Sequence, residues 1–492
     1  MRSYLLSFFQ LLVFTSFAQT IEVPSFLHVD SSQAFIQAYC PDVLQRLQAH
    51  FDRVSSEKLV FVHYGGSHIQ AEKPTTVTRR LMHEKFGYGG RGILFSYGAA
   101  STYNSVNYTT TQTGKWKYNK SYQGRKADLP LGLCGMVVET ADSNASIDFN
   151  FKNGIDEGNY RCFLFFENDD QSYGLRLFIN EREVPLAVNA QYSPHGVSFP
   201  YAGSPIRRIR FEVTGKPNGK RFRFYGLNVE TEANGGVVYH STGVGAAPYR
   251  SVLILDKLPE QMAEINPDIV LLDFGTNDIL FTNSIDPKLP SQVERAVQVF
   301  KQINPEILVV LTSTQDMYYK GKNIPAAITF RNLMDSLARK NDCLFWNWYD
   351  ISGGLKTIKE WNANGYASND CIHLTTKGYE VKGKLLFDSF VNTLDSLRQN
   401  PSLQSLTIPM KDYSKPILHA PSDSTSNLHK DTTEQVIQPQ VPIRRTTIYT
   451  VKKGDTLSAI ASKHHVGVVQ LKRANGLRSD SIQIGQKLKI PK

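Results

Sequence analysis

Cysteine is scarce in this chain, with five in 492 residues, at positions 40, 134, 162, 343 and 371. None forms a Cys-x-x-Cys pair and no His/Cys cluster has zinc-site spacing, so neither a metal nor another cofactor is expected. The odd count leaves at least one thiol free or paired between chains. By region, 134 pairs with 162 and 343 with 371. Long apolar runs are also missing. Past the N-terminus none could cross a bilayer, so no integral membrane segment is expected. No internal repeat occurs. The Gly-rich stretch 87–92 (GYGGRG) lacks the Lys-Ser/Thr of a phosphate loop and reads as a loop rimming a site. Asp273-Phe274-Gly275 has no kinase context. No basic face with a recognisable motif argues for nucleic acid.

What is present is ordinary for folded protein: 41% hydrophobic, 11% aromatic and 20% charged residues. The length implies two to four domains. Residues 1–18 have a short basic start (Arg2), an apolar stretch too short to span a membrane, and Ser16-Phe17-Ala18 as a small-x-small cleavage site. They read as a secretory signal peptide, with the mature chain starting near Gln19 and exported to the periplasm or cell envelope. The formal net charge is +10, but residues 441–492 hold eleven Lys/Arg against two Asp/Glu. The body is therefore near neutral, and the basic tail suits an anionic surface polymer.

Short apolar runs at 58–64 (KLVFVHY), 268–274 (DIVLLDF), 306–312 (EILVVLT) and 343–349 (CLFWNWY) read as buried strands. Helical stretches fall between the later ones, at 291–303 and 325–340. Alternating strands and helices predict an α/β fold with a mostly parallel sheet covered on both faces. Residues 103–235 break this rhythm with short alternating runs and turn residues such as Asn153-Gly154 and Asn218-Gly219. They predict an inserted all-β sandwich. The α/β part then comprises 19–102 and 236–398, followed by a flexible Pro/Ser/Thr/Gln-rich linker at 399–446 and a small module at 447–492.

Three strings have the parts of one reacting site: Gly65-Gly66-Ser67-His68, Gly275-Thr276-Asn277-Asp278 and Asp370-Cys371-Ile372-His373. The first two follow predicted strands, and ligands of open parallel sheets bind beyond the strands' C-terminal ends. A serine hydroxyl needs a base to take its proton, and His373 is the candidate. Asp370 can hold the imidazole tautomer. The oxyanion of a tetrahedral intermediate needs fixed donors, for which the Ser67 main-chain N–H and the Asn277 amide are candidates. A third comes from the small-residue loop at 241–247.

In this order the blocks resemble the SGNH, or GDSL-type, hydrolases. The resemblance covers roughly 59–98 and 237–390. It implies a three-layer α/β/α, flavodoxin-like sandwich, with Ser67, Asp370 and His373 as catalytic residues and Ser67, Gly245 and Asn277 as oxyanion donors. Two departures stand out. Gly66 occupies the usual aspartate position, and Gly245-Ala246-Ala247 replaces Asn-Gly-Ala. Either Gly245 or Ala246 could therefore give the third N–H, and Gly245 is chosen. The β insertion between the blocks looks like that of peptidoglycan O-acetylesterases.

The tail, with Tyr449-Thr-Val-Lys-Lys-Gly-Asp-Thr-Leu457, Asn475-Gly476-Leu477 and Ile484 to Pro491, resembles the LysM family. That implies a βααβ module binding N-acetylglucosamine-containing chains such as peptidoglycan. The matching groove residues are Gly454, Asp455, Thr456, Leu457, Asn475, Gly476 and Leu477. The whole reads as an exported serine esterase removing O-acetyl or similar groups from a wall glycan. The alternatives are a glycan O-acetyltransferase using the same site and a non-catalytic wall-binding protein. The oligomeric state is not encoded in any feature seen here.

Overall fold

The computed structural model describes residues 21–414, apart from 187–189 and 217, and part of 447–490. The expected signal peptide (1–18) and residues 415–446 of the expected linker lie outside the described residues. The body up to 414 and the tail from 447 are separate compact units.

The body's α/β strands are β1 (Ile36–Gln37), β2 (Lys58–Gly65) and β3 (Tyr88–Leu94) before the insertion. The insertion supplies β4 (Tyr108–Thr113), β5 (Lys117–Lys120), β6 (Met136–Thr140), β7 (Ser146–Ile155), β8 (Gly158–Phe166) and β9 (Gly174–Ile179). It continues with β10 (Arg182–Val184), β11 (Gln191–Ser193), β12 (Gly196–Gly203), β13 (Ile206–Thr214) and β14 (Phe222–Thr231). After it come β15 (Gly236–Gly243), β16 (Ile269–Asp273), β17 (Leu308–Thr312), β18 (Tyr318–Tyr319), β19 (Lys322–Asn323) and β20 (Leu344–Trp346).

The parallel core runs β20-β17-β16-β2-β15-β3, with β1 antiparallel at its edge. The sequence of β2 shows why it lies at the centre, since both its faces are apolar. Leu59 and Phe61 pack in one layer with the helices Pro41–Asp52 and Thr376–Gln399. Val60, Val62 and Tyr64 pack in the other with Leu289–Ile303 and Ala326–Lys340. Proline in the first turn starts two of these helices, Pro41–Asp52 and Leu289–Ile303, where a missing N–H costs nothing. The expected α/β/α sandwich is thus observed.

The insertion contains every strand its alternating runs predicted, but it is not a free-standing domain. Its strand β14 pairs antiparallel with β3, so one of its two sheets extends the central sheet without a break. The second sheet, β10-β9-β13-β7-β4, closes the sandwich over Phe149, Phe211, Phe222 and Phe224, inside the same apolar cluster as Val62 and Leu272. The GYGGRG stretch is therefore most of β3 and not a loop. Its glycines let neighbouring backbones meet, since a Cβ at Gly90 would lie 2.5 Å from the Glu230 Cα.

The expected linker begins later than its composition suggests. Leu406 bridges to Ala38, and Lys411 N and Tyr413 Oη both donate to the buried Asp350 carboxylate. A polar segment is fixed here by an internal charge, which composition does not reveal. In the tail, β21 (Thr447–Thr450) pairs antiparallel with β22 (Lys487–Ile490) over a small core including Val451, Leu457, Ile460, Leu471 and Leu488.

Candidate active site

Three neighbouring strands, β15, β2 and β16, end level with one another. Gly65 stands opposite Gly243 on one side and Asp273 on the other. The loops that follow converge there. After β2 the chain turns sharply, with Ile69 N and Gln70 N both donating to Gly66 O at 3.1 Å. Gly65 has no room for a side chain, because a Cβ would lie 2.3 Å from Ile69 Cγ1 and 2.7 Å from Asp273 O. Gly66 is less confined, since a Cβ there would fall 2.9 Å from Asn277 Nδ2, the movable end of a side chain. Ser67 sits on the crest of this turn.

The Asp370–His373 loop reaches it from the far end of the chain. Asp370 Oδ1 accepts the N–H groups of Ile372 (2.9 Å) and His373 (3.0 Å), curling the loop so that its own Oδ2 meets His373 Nδ1 at 2.7 Å. Gln315 Nε2 donates to Ile372 O and Tyr318 N to Cys371 O, fastening the loop to the residues after β17. His373 Nε2 lies 2.8 Å from Ser67 Oγ. Burial would raise the Asp370 pKa, but hydrogen bonds from the His373 ring and from two main-chain N–H groups outweigh it and hold the carboxyl at about 2. An ionised Asp370 can only accept, so His373 Nδ1 carries the proton and Nε2 is left to receive one from Ser67. All three expected residues are brought together in a chain able to draw a proton off the hydroxyl.

The expected donors fare differently. Among the described residues the Ser67 N–H has no acceptor. Asn277 lies in the short helix Thr276–Ile279. Its Nδ2 spends one hydrogen on Ala247 O at 3.2 Å, keeping the second available. Gly245 departs from expectation, because its N–H donates to Gln70 Oε1 at 2.5 Å. Gln70 is itself held by Thr102 Oγ1. Here the side chain three residues beyond the serine takes the N–H that the family pattern assigns to an oxyanion.

Several supporting residues carry no motif. Ala71 and Glu72 both adopt left-handed backbone (φ 69 and 62) between the serine turn and the helix Lys73–Phe86. Glu72 is fully buried, and its Oε2 accepts from Arg79 (3.1 Å), Arg91 (2.7 Å) and Asn107 (2.8 Å). Burial would raise its pKa, but Arg91 and Arg79 draw it below the usual carboxylate value. His68 stacks on the His373 ring at 5.1 Å and meets Tyr379 Oη at 3.0 Å. Burial above all, with the Lys382 charge adding to it, pushes its pKa well down, so it stays neutral. Beneath, Lys382 Nζ donates to Asp273 Oδ2 at 2.7 Å with both groups buried. A lysine on the apolar stripe of Val381, Leu385 and Leu386 is the one sequence signal for such a buried partner.

All five cysteines are free thiols, so the expected 134–162 and 343–371 pairs are not formed. Cys134 and Cys162 lie buried in the core as apolar side chains, and burial pushes both thiols far up. No His/Cys/Asp/Glu cluster among the described residues could hold a metal. No described helix is long and apolar enough to cross a membrane.

In the tail, Gly454 and Gly476 lie outside the described residues. Leu457 is a core residue at 2% exposure, and Leu477 packs against that core. The Asn475 side chain is used internally, donating to Leu471 O and Lys489 O and accepting from Lys489 N. Asp455 accepts from Lys452 N and Tyr449 Oη. Of the expected groove side chains, these four hold the module together, while Thr456 is exposed.

Residues 219–381 match the GDSL-like Lipase/Acylhydrolase family model, and residues 449–491 match the LysM domain model. The first match begins beyond Ser67, so it is the geometry that joins the serine to it. A solved peptidoglycan O-acetylesterase superimposes with a TM-score of 0.58 and 19% identity, over 75% of this chain and 98% of its own. Among curated proteins, an N-acetylmuramoyl-L-alanine amidase of Staphylococcus epidermidis is 53% identical over 47 residues, 10% of this chain and 14% of that protein. A probable N-acetylmuramidase of Lactococcus lactis is 55% identical over 42 residues, 8% of this chain and 10% of that one. The chain thus spans no more than 14% of these curated relatives, and their likeness covers no more than 10% of it. The protein joins a GDSL-like hydrolase domain of the SGNH type, with the α/β/α fold of an esterase, to a C-terminal LysM domain.

Proposed function

We propose that the protein is an exported serine esterase that removes O-acetyl or similar acyl groups from peptidoglycan or a related wall glycan, held there by its LysM domain. The observation that carries this reading is the Ser67–His373–Asp370 hydrogen-bond chain at the level ends of three adjacent strands. As the Ser67 Oγ–H proton passes to His373 Nε2, Oγ bonds to the acyl carbonyl carbon. The carbonyl oxygen becomes an oxyanion facing the Ser67 N–H and Asn277 Nδ2. Collapse breaks the bond to the sugar oxygen, which leaves with the proton from His373. Water then attacks the acyl-serine, His373 takes its proton, and acetate departs as Ser67 recovers its hydrogen.

Hydrolysis is favoured over transfer to a second sugar by exposure. The His373 and Asp370 side chains are 38% and 43% exposed, so water reaches the base freely. A LysM domain that grips the wall raises the local concentration of substrate at the linked site. The test is acetate release from O-acetylated wall glycan by the full chain and by Ser67→Ala. The variant should lose at least about 10³-fold in rate. Equal rates would end the proposal. Export is tested separately by N-terminal sequencing of the secreted chain, expected to start near Gln19.

A further inference from the structure

The segment after Asn277 and the hairpin fastened to the Asp370–His373 loop each present an aromatic side chain, and the two rings meet. Helical hydrogen bonding runs from Thr276 through Asn283, since Leu280 N donates to Thr276 O and Asn283 N to Ile279 O. Phe281 therefore lies four residues past Asn277, in the turn that continues the helix. On the other side, Tyr318 N is bonded to Cys371 O inside the Asp370–His373 loop, and Tyr319 follows it in the β18–β19 hairpin. The Phe281 and Tyr319 rings stand perpendicular with centroids 5.3 Å apart. Phe281 is 69% exposed, more than any other large hydrophobic side chain among the described residues. Core packing does not account for so bare a phenylalanine, and with the Tyr319 ring beside it the pair offers apolar surface close to the candidate site.

We infer that Phe281 and Tyr319 form a stacking shelf for a pyranose ring of the glycan strand that carries the ester. The inference rests on the esterase reading above and names where the substrate's neighbouring sugar lies. A polymer whose ester sits at Ser67 meets the shelf when it runs on past Asn277 and the Asp370 loop, the two segments to which the rings are attached. Sugar rings present apolar C–H faces with hydroxyls at their edges. A perpendicular ring pair matches this shape, with one ring beneath the C–H face and the other against its side. Lys320 Nζ lies over the Tyr319 ring, 5.1 Å from its centroid, so the open stacking face is that of Phe281, and the next residue, Thr282, is exposed and polar.

The test uses the full chain and p-nitrophenyl acetate, a small ester that does not need the shelf, with an unesterified N-acetylglucosamine/N-acetylmuramic acid tetrasaccharide as competitor. The competitor is kept in large excess so that binding to LysM does not deplete it. The Phe281→Ser/Tyr319→Ser double variant should raise the competitor's Ki about tenfold, corresponding to about 1.4 kcal/mol of lost stacking. Phe281→Trp should keep Ki within about threefold of wild type. Tyr192→Ser removes an exposed aromatic of the insertion and should change nothing. The shelf is refuted if wild type is not inhibited, if the double variant keeps the wild-type Ki, or if Tyr192→Ser raises Ki as much. Failure of wild type to turn over the small ester would instead overturn the esterase reading, and the shelf with it.

Discussion

Glu72→Gln is the most demanding perturbation of the serine loop that leaves its reacting atoms untouched. The carboxylate is fully buried, and three donors converge on one of its oxygens: Arg79, Arg91 and Asn107. The amide has the same shape and still offers one acceptor oxygen, but the negative charge is gone. Arg79 and Arg91 are only 6% and 8% exposed, so water replaces it poorly. Breaking a buried pair from one side costs about 3–5 kcal/mol, and the retained acceptor places this case near 3. That is roughly a hundredfold in the folding equilibrium. The loss appears as a lower urea midpoint at unchanged slope, followed by the fluorescence of the buried Trp346, Trp348 and Trp361.

A second effect is local. Left-handed backbone at two non-glycine residues costs about 1–3 kcal/mol each and persists only while the surroundings enforce it. With its anchor weakened, the 71–72 segment relaxes and Ser67 loses register with His373, so kcat for a small ester should fall at least about tenfold. Adding Ala71→Gly should recover about 1 kcal/mol of stability, because glycine takes this conformation without strain. The folded pKa of Glu72 is depressed below the usual 4.5. Its contribution is therefore complete above that value and lost as pH falls through the folded one, so wild type and Glu72→Gln should converge in acid. An unchanged midpoint and unchanged turnover in Glu72→Gln at neutral pH would refute this account of the loop.

Three further outcomes follow from the same geometry. Gly66→Asp, which restores the residue usual in the family, should lower kcat about 10²-fold with little change in KM, because its Cβ displaces the Asn277 amide; steady-state kinetics read this directly. Lys382→Met leaves the Asp273 carboxylate buried without its cation, and should cost about 3–5 kcal/mol by urea denaturation. Asp370 has its pKa lowered from 3.8 to about 2, so its contribution is present above 3.8 and disappears only as pH falls through about 2. Carboxylate NMR of the folded protein should accordingly show Asp370 still ionised at pH 3.

The strings that meet at the candidate site were legible in the sequence because the residue types are distinctive and two of the three stand after strands whose apolar character is plain. The parallel sheet and its covering helices were legible for the same reason, periodicity and β-branched runs. What escaped the sequence depends on contacts between distant segments. Nothing near Glu72 announces a buried carboxylate, since its partners Arg91 and Asn107 come from β3 and from the start of the insertion. Gln70 looks like a surface residue until the turn aims its oxygen at Gly245 N. The cysteine pairs suggested by region fail because Cys134 and Cys162 are spent on packing. Composition likewise misplaced the linker start, as the Asp350 charge holds residues 411 and 413 against the body.

The insertion shows how this dependence reaches the site. Its boundaries at 103 and 235 invite excision, yet β14 is the neighbour of β3, and Leu227, Asn228 and Val229 face Leu94, Ile93 and Gly92 across the ladder. Removing it would bare Ile93, Leu94 and Phe95, all now at most 2% exposed. At about 1.5–3 kcal/mol per large apolar side chain, that is roughly 5–9 kcal/mol, comparable to the entire stability of a typical domain. The same cut removes Val106, whose N–H donates to Ala71 O, and Asn107, which donates to Glu72. Both contacts fix the strained segment behind Ser67. A chain with 103–235 replaced by a short Gly/Ser link should therefore be insoluble or lack cooperative unfolding. A soluble product with wild-type turnover of a small ester would mean that the serine loop stands without the second sheet. The continuous sheet would then be an accident of packing, and not what holds the site.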